Sequence, residues 1–167
     1  IEEIKDAMLQ KHLPLIDETL RDHIYLETGY GERFGVDDAT LAEQVAGLMS
    51  REELFAHCDI ILLPKPVEAD FPYFREGQIL WGWPHCVQGQ AITQVGIDKK
   101  MTLIAWEAMN MWKDGKWQMH IFQKNNELAG YASVLHALQL KGMTGSYGPA
   151  KRIAVISFGA TARGALF

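Results

Sequence analysis

"DIILLPKP", Asp59 to Pro66, decides how this chain is read. Four large aliphatic residues, Ile60 to Leu63, follow one acidic residue and end at a proline. A continuous apolar run of strand length suits a parallel sheet buried on both faces, whereas a strand with one wet face alternates. Two further runs of this kind follow, "QILWGW" (Gln78 to Trp83) and "MTLIA" (Met101 to Ala105). Between them, about Gln88 to Val95 predicts a crossover helix. "IYLE" (Ile24 to Glu27) predicts an earlier strand, and Ile153 to Ile156 a last one.

Helical segments occupy the intervals. Ile1 to about Arg21 carries mixed apolar periodicity, interrupted near Pro14. Asp37 is an expected N-cap for a helix with Leu41, Val45 and Leu48 on one face. Ser50 with Glu53 forms a capping box that opens a short helix through His57. A longer helix is expected from Asn126 to about Lys141, with Leu128, Val134, Leu135 and Leu138 apolar and Gly142 as its stop. Asp114-Gly115, between two strand-like arms, is a type I′ hairpin signal, with Trp106, Trp112 and Trp117 expected to pack around it. Strands alternating with helices define the α/β class. The expected fold is a Rossmann-like or flavodoxin-like, mostly parallel sheet with flanking helices and a β-hairpin insertion. It ends in the first strand and turn of a second Rossmann domain.

Composition excludes several functions. The 167 residues, 48% hydrophobic and 22% charged, suit a globular protein of one domain or a little more. A net charge of −5 with scattered Lys and Arg argues against nucleic acid as a partner. No apolar run approaches the ~20 residues that span a bilayer, so no membrane partner is expected. Cys58 and Cys86 are isolated thiols, which suits a reducing compartment and a cytoplasmic location. His57-Cys58 and His85-Cys86 lack the spacing of zinc ligand pairs, and adjacent strand residues point to opposite faces, so no metal is expected. Because the chain starts at Ile1 and stops just after a glycine turn, it is expected to be a piece of a longer polypeptide.

In an open parallel sheet, ligands gather beyond the carboxyl ends of the strands. Lys65 stands past the first long strand, between two prolines, and His85 stands past the second, in "WGWPHC". Together an ammonium and an imidazole suit a small anionic ligand, the first pairing with a carboxylate or carbonyl and the second moving a proton. Position alone leaves Lys65 open as a solvated surface amine, and His85 as a structural hydrogen-bonded histidine. Glu107, Glu127 and His120 stay undecided between site and surface. In "SFGATARGALF" the dinucleotide fingerprint G-x-G-x-x-G meets Ser157, Gly159 and Ala162. The middle glycine is present, and Ala fits the third position. Serine departs from the pattern at the first.

"ETGYGERFGVDDA", "DIILLPKP", "FREGQILWGWPHC", "MTLIAWE" and "NNELAGYASVLHAL" follow in that order, with the glycine turn after them. In this the chain, from about Leu26 onward, resembles the N-terminal, substrate-binding region of the alanine dehydrogenase and nicotinamide nucleotide transhydrogenase family. "FREGQILWGWPH", "KNNELAGYASVLHAL" and "IAVISFGATARGA" are most similar to its carboxyethylornithine synthase branch.

The resemblance implies a division into a substrate-binding α/β domain (1–125), a connecting helix (126–142) and the start of an NAD(P)-binding domain (151–167). It implies an oxidoreductase of CH–NH groups, with NADP or NAD as cofactor, a 2-oxo acid and an amine or amino acid as small-molecule partners, and a homo-oligomeric assembly. Lys65, six residues past Asp59, falls on the family's substrate-binding lysine, and His85 falls on its active-site histidine. Asn126 falls on the polar residue that approaches the cofactor phosphates, and Gly159 and Gly164 belong to the nucleotide turn. Arg21 lies outside the motif that carries the family's substrate-binding arginine. Two other readings stay open: an alanine or saccharopine-type dehydrogenase, and a non-catalytic ligand-binding module, which Ser157 favours.

Overall fold

The computed structural model describes residues 12–143, 148–149 and 151–167. Most of the expected N-terminal helix, and part of the loop before Lys151, fall outside them. The described chain divides into two compact units, one running to Glu107 and one from Ala108 to Phe167.

In the first unit the chain enters through a 3₁₀ turn, Leu13–Leu15, with Pro14 in its first turn and Leu13 buried. Extended backbone at Ile16 then ends it, and Asp17 caps a new short helix α1, Glu18–Arg21, by accepting the Thr19 N–H at 2.9 Å. The expected helix, read as interrupted near Pro14, is broken just after that proline. β1 (Tyr25–Glu27) pairs in parallel with β2 (Gly47–Met49). Between them lies α2 (Asp38–Ala42), capped by Asp37 through the Thr40 N–H at 2.8 Å. The cap agrees with the sequence reading, but the helix stops short and Leu48 belongs to β2. The Ala46 N–H is drawn instead to the carbonyls of Arg21 and Ile24, and Gly47 is a poor helix former.

α3 (Arg51–His57) starts with the expected capping box: Glu53 N–H donates to Ser50 Oγ, and Ser50 N–H donates to Glu53 Oε2. Arg51 at its head donates to Glu27 and to the buried Asp70, both at 2.8 Å, tying the end of β1 to the 3₁₀ run Glu68–Tyr73. The last carbonyls of a helix lack partners within it. Here Phe55 and Cys58 carbonyls accept from both Arg75 and the buried Gln78 side chain. Two residues of "FREGQ" therefore have a structural task.

The three long apolar runs form one parallel sheet in the order β3 (Ile60–Leu63), β4 (Ile79–Gly82), β5 (Thr102–Ala105). α4 (Gln90–Asp98) crosses from β4 to β5. Phe55, Ile61, Phe74, Leu80 and Ile92 make the core on one face, with Leu63, Val95 and Leu103 packed against it. Burial on both faces is not what the structure gives: Ile60, Leu62, Trp81 and Ile104, on the alternate positions, stay exposed. A second core joins Leu13, Leu26 and Leu41 beside β1 and β2.

In the second unit β6 (Asn110–Lys113) and β7 (Lys116–His120) form the expected hairpin, with positive φ at both Asp114 and Gly115 as a type I′ turn requires. Trp112 faces Trp117 across it, yet both rings are more than half exposed, so they form no core there. Trp106 belongs to the first unit. α5 (Gln123–Leu140) begins three residues before the expected start. Gly142, at φ 66°, closes it: the Gly142 N–H reaches back to Gln139 and the Met143 N–H to Leu138, a Schellman motif. Ile153 to Ile156 is not a strand: no ladder forms among the described residues, and Ile156 is 94% exposed. The strand–turn–helix reading keeps its turn and its helix α6 (Ala160–Ala165).

Candidate functional site

β3, β4 and β5 run parallel and in register, with Leu63 beside Gly82 and Gly82 beside Ala105. Their carboxyl ends therefore open on one edge. Lys65 follows β3 by two residues, His85 follows β4 by three, and Glu107 follows β5 by two. The pairing persists one step past the strands, where the Trp83 N–H donates to the Pro64 carbonyl at 2.9 Å. Gly82 permits this closeness, since a Cβ there would lie 1.9 Å from the Leu63 carbonyl oxygen. The backbones that carry Lys65 and His85 are thus held side by side.

The His85 loop is fixed from several directions. His85 has φ 52°, in the left-handed region that histidine tolerates, and its carbonyl accepts from the Gln88 and Gly89 N–H groups at 2.9 and 2.7 Å. Its own N–H donates to Glu107 Oε1 at 2.7 Å, and the same oxygen lies 4.0 Å from the ring Nδ1. Thr93 Oγ1 donates to the Cys86 carbonyl behind the loop. Trp83 and Trp106, each one residue past its strand, meet edge to face with centroids 4.6 Å apart. The Lys65 side chain and the His85 ring both reach solvent. A cation, an imidazole and a carboxylate thus share one strand-end edge. They can bind a small anion, exchange a proton with it and orient the proton carrier.

Glu107 is the member that the sequence left undecided. Its signal was its offset past β5, the same as that of Lys65 past β3. His57 packs edge-on against Tyr25, burial pushes the Cys58 thiol up, and no metal-holding cluster of His, Cys, Asp or Glu occurs among the described residues.

The remaining candidates lie in the second unit. Asn126 is not at the head of its helix: Gln123 is, and the Asn126 N–H is bonded to the Phe122 carbonyl at 2.9 Å. Only its side chain, half-buried, remains for a ligand. Gly159 is the N-cap of α6, and among the described residues only Ser157 Oγ lies close to where its Cβ would be. Its N–H donates to that hydroxyl at 3.1 Å. Ser157 itself has φ 127°, backbone that glycine adopts freely and serine does not. Serine departs from the fingerprint in side chain, but the backbone takes the glycine-like conformation. Gly164 is buried against α5, so the structure gives it a packing role.

These features define an α/β domain whose candidate site lies on the carboxyl edge of a parallel sheet, followed by a glycine turn that opens a helix. The chain belongs to the alanine dehydrogenase/PNT family, whose N-terminal domain model matches residues 15–129. It is 29% identical over 93% of its length to the N(5)-(carboxyethyl)ornithine synthases of Clostridium botulinum and Lactococcus lactis, covering 53% and 54% of them. It is also 28% identical to alanine dehydrogenase 2 of Staphylococcus aureus over 53% of this chain and 24% of that one. The chain therefore spans about half the length of the curated synthases it matches. An L-alanine dehydrogenase structure superposes with a TM-score of 0.56 at 18% identity, over 69% of this chain and 31% of that one. The transhydrogenase from Sinorhizobium meliloti does so with 0.53 at 19%, over 69% and 34%. Both share the Rossmann-like α/β fold.

Proposed function

We propose that this chain forms the substrate half of an NAD(P)-dependent oxidoreductase of CH–NH groups, one that reductively joins a 2-oxo acid such as pyruvate to an amine. The observation that carries the reading is the neighbouring placement of Lys65 and His85 past two hydrogen-bonded parallel strands. The similarity to carboxyethylornithine synthases over nearly the whole chain favours an amino-acid amine over ammonia as the second substrate.

Lys65 holds the carboxylate or carbonyl oxygen of the oxo acid through its ammonium. His85 delivers and removes the protons that carbinolamine and imine formation require. Glu107, bonded to the His85 N–H, keeps the ring at that edge. The Gly159 turn and Asn126 are the residues that would hold a dinucleotide. The fit is supported by the glycine-like backbone at Ser157 and by Gly159, where among the described residues no backbone atom beyond its immediate chain neighbours lies within 4 Å of a Cβ. Bound there, a nicotinamide dinucleotide supplies the hydride.

Lys65→Ala and His85→Ala, made in the complete polypeptide, are each expected to lower turnover by about 10²-fold or more while leaving the unfolding midpoint unchanged. Near-normal rates in both variants overturn the mechanism. One observation favours the non-catalytic reading: Ser157 Oγ occupies the Gly159 N–H that a phosphate would use. Titration with NADH and NADPH separates the two, since a ligand-binding module without catalysis would bind neither.

A further inference from the structure

At two points α5 and α6 meet with no side chain between their backbones. A Cβ at Gly164 would lie 1.7 Å from the Glu127 carbonyl oxygen, and one at Gly130 would lie 1.9 Å from that of Thr161. Such a contact lacks the interlocking side-chain ridges that normally fix how two helices are rotated against each other. A charged pair between the two helices would add to that constraint.

Glu127 sits beside the crossing and is only 8% exposed. Its Oε2 accepts from Lys124 Nζ at 2.7 Å on its own helix. Its Oε1 makes no hydrogen bond among the described residues and lies 3.6 Å from a guanidinium nitrogen of Arg163 on α6. Burying a carboxylate is costly unless a charge answers it. Close helix packing alone does not call for one, and the glycines already provide that packing. What Glu127 adds is a charge contact from α5 to Arg163 on α6, four residues past Gly159.

We propose that Glu127 is a positioning residue for the nucleotide turn: through Arg163 it fixes the rotation of α6 on α5, and with it the direction in which the Gly159 turn faces. This inference rests on the dinucleotide reading of that turn. Arg163 is the accessible end of the device, with a side chain more than half exposed, so it can be varied without opening the crossing.

The test is made in the complete polypeptide, by titrating NADH and NADPH against protein fluorescence and by measuring KM for the oxo acid. Glu127→Gln and Arg163→Gln are each expected to weaken nucleotide binding about tenfold, with the KM of the oxo acid unchanged. The double variant should bind no worse than either single one, and Arg163→Lys should retain most of the affinity. A Glu127→Gln protein that unfolds more easily yet binds nucleotide normally overturns the proposal, because the carboxylate is then merely structural. Losses that multiply in the double variant overturn it as well. Should the unmodified protein bind neither nucleotide, the dinucleotide reading itself fails, an outcome distinct from both. Should Glu127→Gln fail to fold, Arg163→Gln against Arg163→Lys carries the decision.

Discussion

Lys65, His85 and Glu107 stand on an open strand edge and reach water, whereas Glu127 meets Arg163 beside a closed helix crossing. Both regions depend on missing side chains: Gly82 lets β3 and β4 keep pairing beyond their ends, and Gly130 with Gly164 lets α5 and α6 touch. The difference lies in what the closeness accomplishes. At the strand edge it brings polar side chains together where a ligand can reach them. At the crossing it makes two helices one body and hides the charge that orients them. Specificity can be placed on an exposed edge because a backbone ladder fixes it from behind.

The largest effect is expected where a methyl group would break that closeness. Gly82→Ala and Gly164→Ala would each put a Cβ within 2 Å of a backbone oxygen that cannot turn aside. Each should cost about 3 kcal/mol in denaturant unfolding, the upper part of the overpacking range. Both regions are then equally dependent on their glycines. If Gly164→Ala unfolds at the wild-type midpoint, the crossing is looser than the strand edge and the comparison breaks.

A smaller effect contrasts two residues with positive φ. His85, at 52°, lies where histidine is tolerated, while Ser157, at 127°, lies where only glycine is at ease. Ser157→Gly is expected to stabilise the protein by about 1 kcal/mol, strain relief outweighing the added chain entropy. His85→Gly should gain nothing. Thermal unfolding of both variants checks this, and equal responses would remove the distinction between the two turns.

The same contrast explains how much the sequence disclosed. Asp37, the Ser50–Glu53 box, Asp114-Gly115 and Gly142 were legible because caps and turns are local: each is decided by residues three or four apart. The strands β3, β4 and β5 were legible from their continuous apolar runs, and Lys65 and His85 from their place after them. β2 was hidden because Leu48 fits a helical face equally well, and only the pull of Arg21 and Ile24 carbonyls on Ala46 decides against the helix. Glu107 and Glu127 were undecided because His85 lies 22 residues from the first and Arg163, across the crossing, 36 residues from the second. No local pattern encodes those pairs. Ile153 to Ile156 shows the converse, since strand-like residues make no strand without a neighbour to pair with.

The finest test sets an exposed carboxylate against a buried one. Asp37 is held below the usual carboxylate range by the Thr40 hydroxyl and N–H. Glu127 is lowered first by its hydrogen bond from Lys124, against the opposing effect of burial, with Arg163 adding attraction. A carboxyl depressed in the folded state stabilises it above the unfolded value, about 4. That contribution is lost as pH falls through the folded value. Asp37→Asn should therefore flatten the acid limb of the stability profile with little loss at neutral pH, because an amide caps a helix about as well. Glu127→Gln should instead be less stable than the unmodified protein at pH 7, the gap closing below about pH 4 as the native carboxyl takes up its proton. Urea unfolding across pH 2 to 7 measures both. A gap for Glu127→Gln that stays constant with pH would mean that shape, not charge, holds the crossing, and the buried carboxylate would then be no different in kind from the glycines beside it.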